Sequence, residues 1–333
     1  MIVSMSLVRA IHLASCMLLL GEVVFRMFVV GPALAQVMGK VRSPLDLLDR
    51  RLPSLTIYSL VVSFVSGCFW LWLVAARVSD ANLIDALHSE ILGTVLGKTE
   101  FGLLWKVRLA IMTGFVAVLF LKKQWTQCLK LSLAAALLAT LSLAGHAGAG
   151  IGEARWIQLT NDTLHLIAAG IWPAGLAPFS LFLTQVLQAE RPGEIYVAAW
   201  VTRRFSFLSL VTVGSLAITG VVNGYFLVGT FHALVATVYG RLLVLKVGLI
   251  AVMVLIAAFN LLWLKPRIRL AAESAAPGKS LGLLRSLRRT VLTELSLGII
   301  VIIVVGVLGI TPPSAHFRSR SRYCEMLARQ IPL

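Results

Sequence analysis

The sequence predicts an all-α fold: a polytopic membrane helix bundle of eight transmembrane helices, arranged as two parallel four-helix repeats. Three observations carry this. Hydrophobic residues make up 59% of the 333 positions and charged residues 13%, about half the charged fraction of a soluble domain. Eight apolar runs approach or exceed the ~20 residues that a helix needs to cross a hydrocarbon core of ~30 Å. The same short motifs recur, in the same order, in each half of the chain.

The runs cover roughly 7–30, 54–76, 103–121, 129–147, 158–183, 206–228, 241–264 and 290–310. Barrel strands would be about 10 residues long and alternate in polarity, whereas these runs are apolar throughout. The first run has features of a cleaved leader: "MSLVRAIHLASC" resembles a lipoprotein site and "GPALAQ" a signal-peptidase site. Arg9 and His12 interrupt it before Cys16, however, and more positive charge follows it than precedes it, the reverse of a signal peptide. It is expected to stay as the first transmembrane helix. The fourth run ends in "GHAGAGIG", whose glycines permit a tight turn into the fifth. The fifth contains "GIWPAG", where Pro173 is expected to break or kink the helix.

The repeat is read from three ordered matches. His12-Leu13 of the first run matches His165-Leu166 of the fifth. "RRLPSLTIYSLVVSFVSG" leads into the second run and "RRFSFLSLVTVGSLAITG" into the sixth, pairing Ser66-Gly67 with Thr219-Gly220. "TEFGLLWKVRL" opens the third and "TVYGRLLVLKVGL" the seventh, pairing Arg108 with Lys246. Four spans per repeat make both halves enter the membrane in the same direction, a parallel repeat about an axis along the membrane normal. The expected units are 1–150, 151–316 and a basic C-terminal tail, 317–333. Equivalence of the halves also puts His12 and His165 at the same depth.

The net charge of +16 could suggest nucleic acid, but the charge sits in short loops between spans. That is the pattern of positive-inside topology, so the bilayer is the expected partner and nucleic acid is not. The loops after the first, third, fifth and seventh spans hold most of the Lys and Arg, including Lys40, Arg50, Lys122, Arg203 and the cluster 265–289. Those loops are assigned to the cytoplasm and both termini to the outside. Arg318, Arg320, Arg322 and Arg329 of the tail run against that assignment.

With this topology all six histidines (His12, His88, His146, His165, His232 and His316) fall on the outer side. Imidazole is the commonest metal ligand. Cys16 shares a helix face with His12 at i, i+4, and such N and S donors suit copper or zinc better than magnesium or calcium. The tight turn would bring His146 and His165 together at the outer rim, with Asp162, one turn before His165, placed to orient its ring. Glu22 and Arg26, also i, i+4, form an intramembrane pair that is functional or structural. Asn223, Asn260 and Glu294 are further polar groups near span ends. Cys16, Cys68, Cys128 and Cys324 form no CxxC and no disulfide framework.

At these residues the chain resembles the bacterial copper resistance protein D (CopD) family. The motifs are "HL" in the first span, "LAGHAGAG", "LHLIAAGIWPAGLAPF", "RRFSFLSLVTVGSLAITG", "TVYGRLLVLKVGL", Phe259-Asn260, "RTVLTELSLGIIV" and "TPP". The resemblance implies an inner-membrane, multi-pass protein of copper homeostasis that imports copper ion. It implies His12, His146 and His165 as the metal residues, and a periplasmic copper-binding protein of the CopC kind as partner. Pro173 and the Glu22–Arg26 pair depart from the family pattern. Two other classes remain open: a haem-binding electron-transfer protein or cupric reductase, and a docking scaffold for a periplasmic copper carrier. An enzyme is not expected: no Ser-His-Asp spacing, phosphate-binding glycine loop or zinc-protease helix occurs.

Overall fold

The computed structural model describes residues 2–37, 48–121, 123, 125–144, 153–228, 230–273 and 277–312. Among them every regular element is helical, and eight helical stretches are long and apolar enough to cross a membrane. The first is α1 (Ile2–Val24), continued by a π-helical stretch (Phe25–Val30) and α2 (Gly31–Val37). The second is α3 (Leu48–Val78). A short α4 (Ser89–Lys98) leads into α5 (Glu100–Leu119), and α6 (Thr126–Leu143) ends the first four. The fifth span is α7 (Glu153–Ile171) with α8 (Leu176–Ala189), and the sixth is α9 (Pro192–Val228). A short α10 (Phe231–Ala236) leads into α11 (Val238–Phe259), followed by a π-helical stretch (Asn260–Leu264) and α12 (Lys265–Glu273). The last is α13 (Pro277–Leu308).

Pro173 breaks the fifth span as expected: α7 stops at Ile171 and α8 begins at Leu176, because proline has no N–H to give and its ring clashes with the preceding turn. The break is packed tightly against α1. A Cβ on Gly21 would lie 2.7 Å from the Gly170 carbonyl oxygen and 2.9 Å from the Gly175 nitrogen, so only glycine allows this approach. α1 is central, packing on α3, α6, α7 and α13. Cys16, Leu19, Leu20 and Val24 of its buried face join Phe115 and Leu138 in one core. Phe25, Trp172, Phe179 and Phe205 anchor a second.

The motif that opens the third and seventh spans is the same device twice. Thr99 caps α5, its hydroxyl accepting from the Gly102 N–H at 3.0 Å. Thr237 caps α11 from the Gly240 N–H at 2.9 Å. Capping of this kind satisfies a helix-start N–H that has no intrahelical partner. At both glycines a Cβ would fall 2.2 Å from a carbonyl oxygen of the preceding short helix, Val95 or Ala233. The T-x-x-G spacing therefore encodes a sharp re-entry from a short helix into a span.

Candidate functional site

His12 lies on α1, ten residues from the helix start, and is 1% exposed. Its Nδ1 is 2.9 Å from the Ser66 hydroxyl of α3. That hydroxyl donates its proton to the Val62 carbonyl at 2.5 Å, so toward the imidazole it accepts. Nδ1 therefore carries the ring proton, and Nε2 presents a lone pair. The Arg108 guanidinium of α5 donates to that Nε2. Cys16, one turn along α1, sits 3.9 Å from Nε2, 3.2 Å from the Ser63 hydroxyl and 3.8 Å from the same guanidinium. Trp70 closes the cluster, with Arg108 5.6 Å and Arg9 5.2 Å from its ring centre. The free space beside His12 is only about 10 Å³, roughly one water's worth.

His165 repeats the arrangement on α7. Its Nδ1 is 2.9 Å from the Thr219 hydroxyl of α9, which donates to the Ser215 carbonyl at 2.6 Å. The proton again belongs on Nδ1, and the Nε2 lone pair faces a cation, here the Lys246 ammonium of α11 at 3.5 Å. Both imidazole–hydroxyl bonds span 54 positions. Gly67 and Gly220, the residues after the two hydroxyls, each lie against a ring: an added Cβ would be 3.3 Å from His12 Cε1 and 3.7 Å from His165 Cε1.

The two clusters differ in their surroundings. His165 and Lys246 border a cleft of about 710 Å³ between α7, α9, α11 and α13. Most of its lining is apolar. Arg9, Gln158, Asp162, Asn223 and Tyr239 are among its other polar groups. Asp162 does not orient the His165 ring, because Thr219 occupies Nδ1 and Lys246 faces Nε2. Asp162 accepts instead from the Asn223 amide at 3.4 Å. Asn223 in turn accepts from Asn161 at 2.8 Å, so α7 and α9 are tied by an amide ladder. Lys246 and Asp162 border the same cleft.

His146, His316, Cys324 and the glycine-rich turn lie outside the described residues. His88 is exposed, its ring N–H donating to the Asp85 carbonyl at 2.7 Å. Among the described residues no three His, Cys, Asp or Glu side chains form a metal cluster. Glu22 is 1% exposed and takes two donors, Thr56 at 2.8 Å and Arg26 at 3.5 Å, joining α1 to α3. Sequence reasoning paired Ser66 with Thr219 and Arg108 with Lys246 as repeat positions but assigned none of them to the site. The signal was present: the His pair and the hydroxyl pair share one offset.

Fold and site define the class: a polytopic helical membrane protein with two imidazole–cation pairs, one buried and one part-buried beside a cleft. Residues 1–156 match the model "Copper resistance protein D-like, N-terminal domain", and residues 199–308 match "Copper resistance protein D". The chain is 30% identical to Copper resistance protein D of Pseudomonas syringae pv. tomato, over 79% of this chain and 83% of that protein. It is 31% identical to Inner membrane protein YebZ of Escherichia coli (strain K12), over 81% and 87%. It is 30% identical to Copper transport protein CutJ of Bacillus subtilis (strain 168), over 53% of this chain but only 29% of that longer protein. No solved structure matches. The chain belongs to the copper resistance protein D family.

Proposed function

We propose that this protein imports copper ion across the bacterial inner membrane, with His165 as the residue that takes the ion from the outer side. One observation carries the reading. The His165 ring borders a cleft, and its Nε2, the atom a metal would use, meets the Lys246 ammonium at 3.5 Å. Lys246 is a cation already resting where an incoming cation would bind. Its flexible four-carbon stem lets it withdraw toward Asp162, so ion entry and ammonium departure exchange charge for charge. When the ion leaves, the ammonium returns and resets the site.

The basic loops set the orientation, because Lys and Arg are retained on the cytoplasmic side. Both termini and the His165 cleft then face the periplasm. His146 would complete the capture site from the turn before α7, and His12 would mark the equivalent position in the other half. The units 1–150 and 151–316 act as two four-helix halves, supported by the doubled imidazole–hydroxyl bond, with 317–333 as a basic tail. A periplasmic copper-binding protein of the CopC kind is the proposed donor.

The haem reading has one observation in its favour: a large, mostly apolar cleft with one imidazole and two cations, Arg9 and Lys246, that could hold carboxylates. A Soret band in the purified protein would favour it. The test of import is total cell copper, by mass spectrometry, with and without expression of the chain. Copper should rise with the wild type and not with His165→Ala. A rise that persists in His165→Ala would contradict the assignment.

A further inference from the structure

The cleft that holds His165 has a neighbour. Trp172, Val213 and Val254 border it, and the same three side chains border a second cavity of about 120 Å³. Ser206 and Ser209 of α9 and Asn260 with Glu294 lie on the far side of that second cavity. Along α9 the bordering residues recur every three or four positions, as Ser206, Ser209, Val213, Leu216, Gly220 and Asn223, which is one face of a helix. From Thr202 to Asn223 this face runs about 30 Å at 1.5 Å per residue, close to the thickness of a hydrocarbon core.

We infer that the two cavities are one transmembrane lane, closed at Trp172, Val213 and Val254, with Glu294 and Asn260 as its cation site on the basic-loop side. This rests on the copper-transport reading and extends it from capture to passage.

Glu294 is 2% exposed yet borders the second cavity. An ionisable group inside a span is functional by default, because burying it uncompensated is costly. The Asn260 amide donates to its Oε1 at 2.7 Å, and the Thr290 hydroxyl donates to the Asn260 carbonyl oxygen at 2.7 Å. The carboxylate is therefore aimed. Among the described residues its Oε2 receives no hydrogen bond, so acceptor lone pairs remain for a cation. Asn260 opens the π-helical stretch of the seventh span, a local form common at functional sites. Trp172 stands in the break between α7 and α8 and is 1% exposed, so its ring forms the closure between the cavities. Among the described residues, no side chain bordering either cavity carries sulfur. A lane of N and O donors suits copper(II) better than copper(I).

The experiment measures cell copper for the wild type, Glu294→Gln and Val213→Trp at matched membrane levels. Glu294→Gln removes the charge and keeps the Asn260 contact, and Val213→Trp fills the constriction. Each should lower accumulation at least tenfold. A wild type that accumulates no copper overturns the transport reading itself. A wild type that accumulates copper, with both variants unchanged, overturns the lane alone. A second measurement does not depend on accumulation. Ser209→Cys, with the four native cysteines replaced by serine, should react with a small membrane-impermeant thiol reagent, and copper(II) should slow the reaction. No labelling would show that no aqueous lane reaches Ser209.

Discussion

The first and second halves of this protein hold an imidazole in the same way but in different surroundings. In each, a hydroxyl 54 positions on fixes the ring proton on Nδ1, and a cation from the next span but one faces Nε2. In the first half the cation is arginine, braced on Trp70 and shared with Cys16, and almost no space remains. In the second it is lysine, beside a cleft of about 710 Å³. A guanidinium is planar, permanently charged and donates through a rigid fork, whereas an ammonium is a point charge on a flexible stem. The first cluster is thereby locked as a structural joint between α1, α3 and α5. The second can open. On the proposed function, the same frame would serve packing in the first half and ion handling in the second.

The largest effect should come from the histidines themselves. His165→Ala is expected to abolish copper accumulation, at least tenfold, while His12→Ala leaves accumulation per folded molecule within about twofold. Equal loss in both would erase the distinction between the halves. Next is Lys246→Arg, which makes the second cluster resemble the first. A displacement harder by ~1.4 kcal/mol is tenfold in affinity, and weakening of that order is expected in copper titrations of the purified protein. Unchanged affinity would mean that the ammonium does not compete with the ion.

Arg108→Met tests the joint from the other side. It strips the donor from His12 Nε2 and leaves a buried polar group unsatisfied, at about 1–3 kcal/mol. The thermal midpoint in detergent should fall by a few degrees, with copper binding retained by the folded fraction. The smallest contrast concerns the paired glycines. Gly67→Ala presses a methyl to 3.3 Å from His12 Cε1, tighter than ordinary contact, whereas Gly220→Ala leaves 3.7 Å at His165. Removing glycine from a helix interior gains up to ~1 kcal/mol. Gly220→Ala should therefore be neutral or stabilising, and Gly67→Ala destabilising. The reverse order in thermal melts would mean that the first ring is not tightly held.

Much of this was legible in the sequence, for physical reasons. Apolar runs of bilayer length leave little freedom in the fold class, and Pro173 fixes where the fifth span breaks. The T-x-x-G spacing of Thr99 and Thr237 and the doubled His-to-hydroxyl offset were both visible as recurring motifs. Other features were not legible. Asp162 sits one turn from His165 and could have reached its ring. Only the positions of Thr219 and Asn223 across the α7–α9 contact decide that it does not. The sealing of His12 also depends on volume, because Trp70 and Arg108 fill from α3 and α5 what in the second half stays empty. Spacing along a chain encodes neighbours on one helix, not the space left between three.

The central proposal is that one imidazole of the pair binds copper and the other does not. Equilibrium dialysis of the purified full chain against copper, with bound metal counted per protein, tests it on three proteins: wild type, His12→Ala and His165→Ala. His12→Ala is expected to keep the wild-type stoichiometry and His165→Ala to lose the tight site. Loss in His12→Ala with retention in His165→Ala would contradict it.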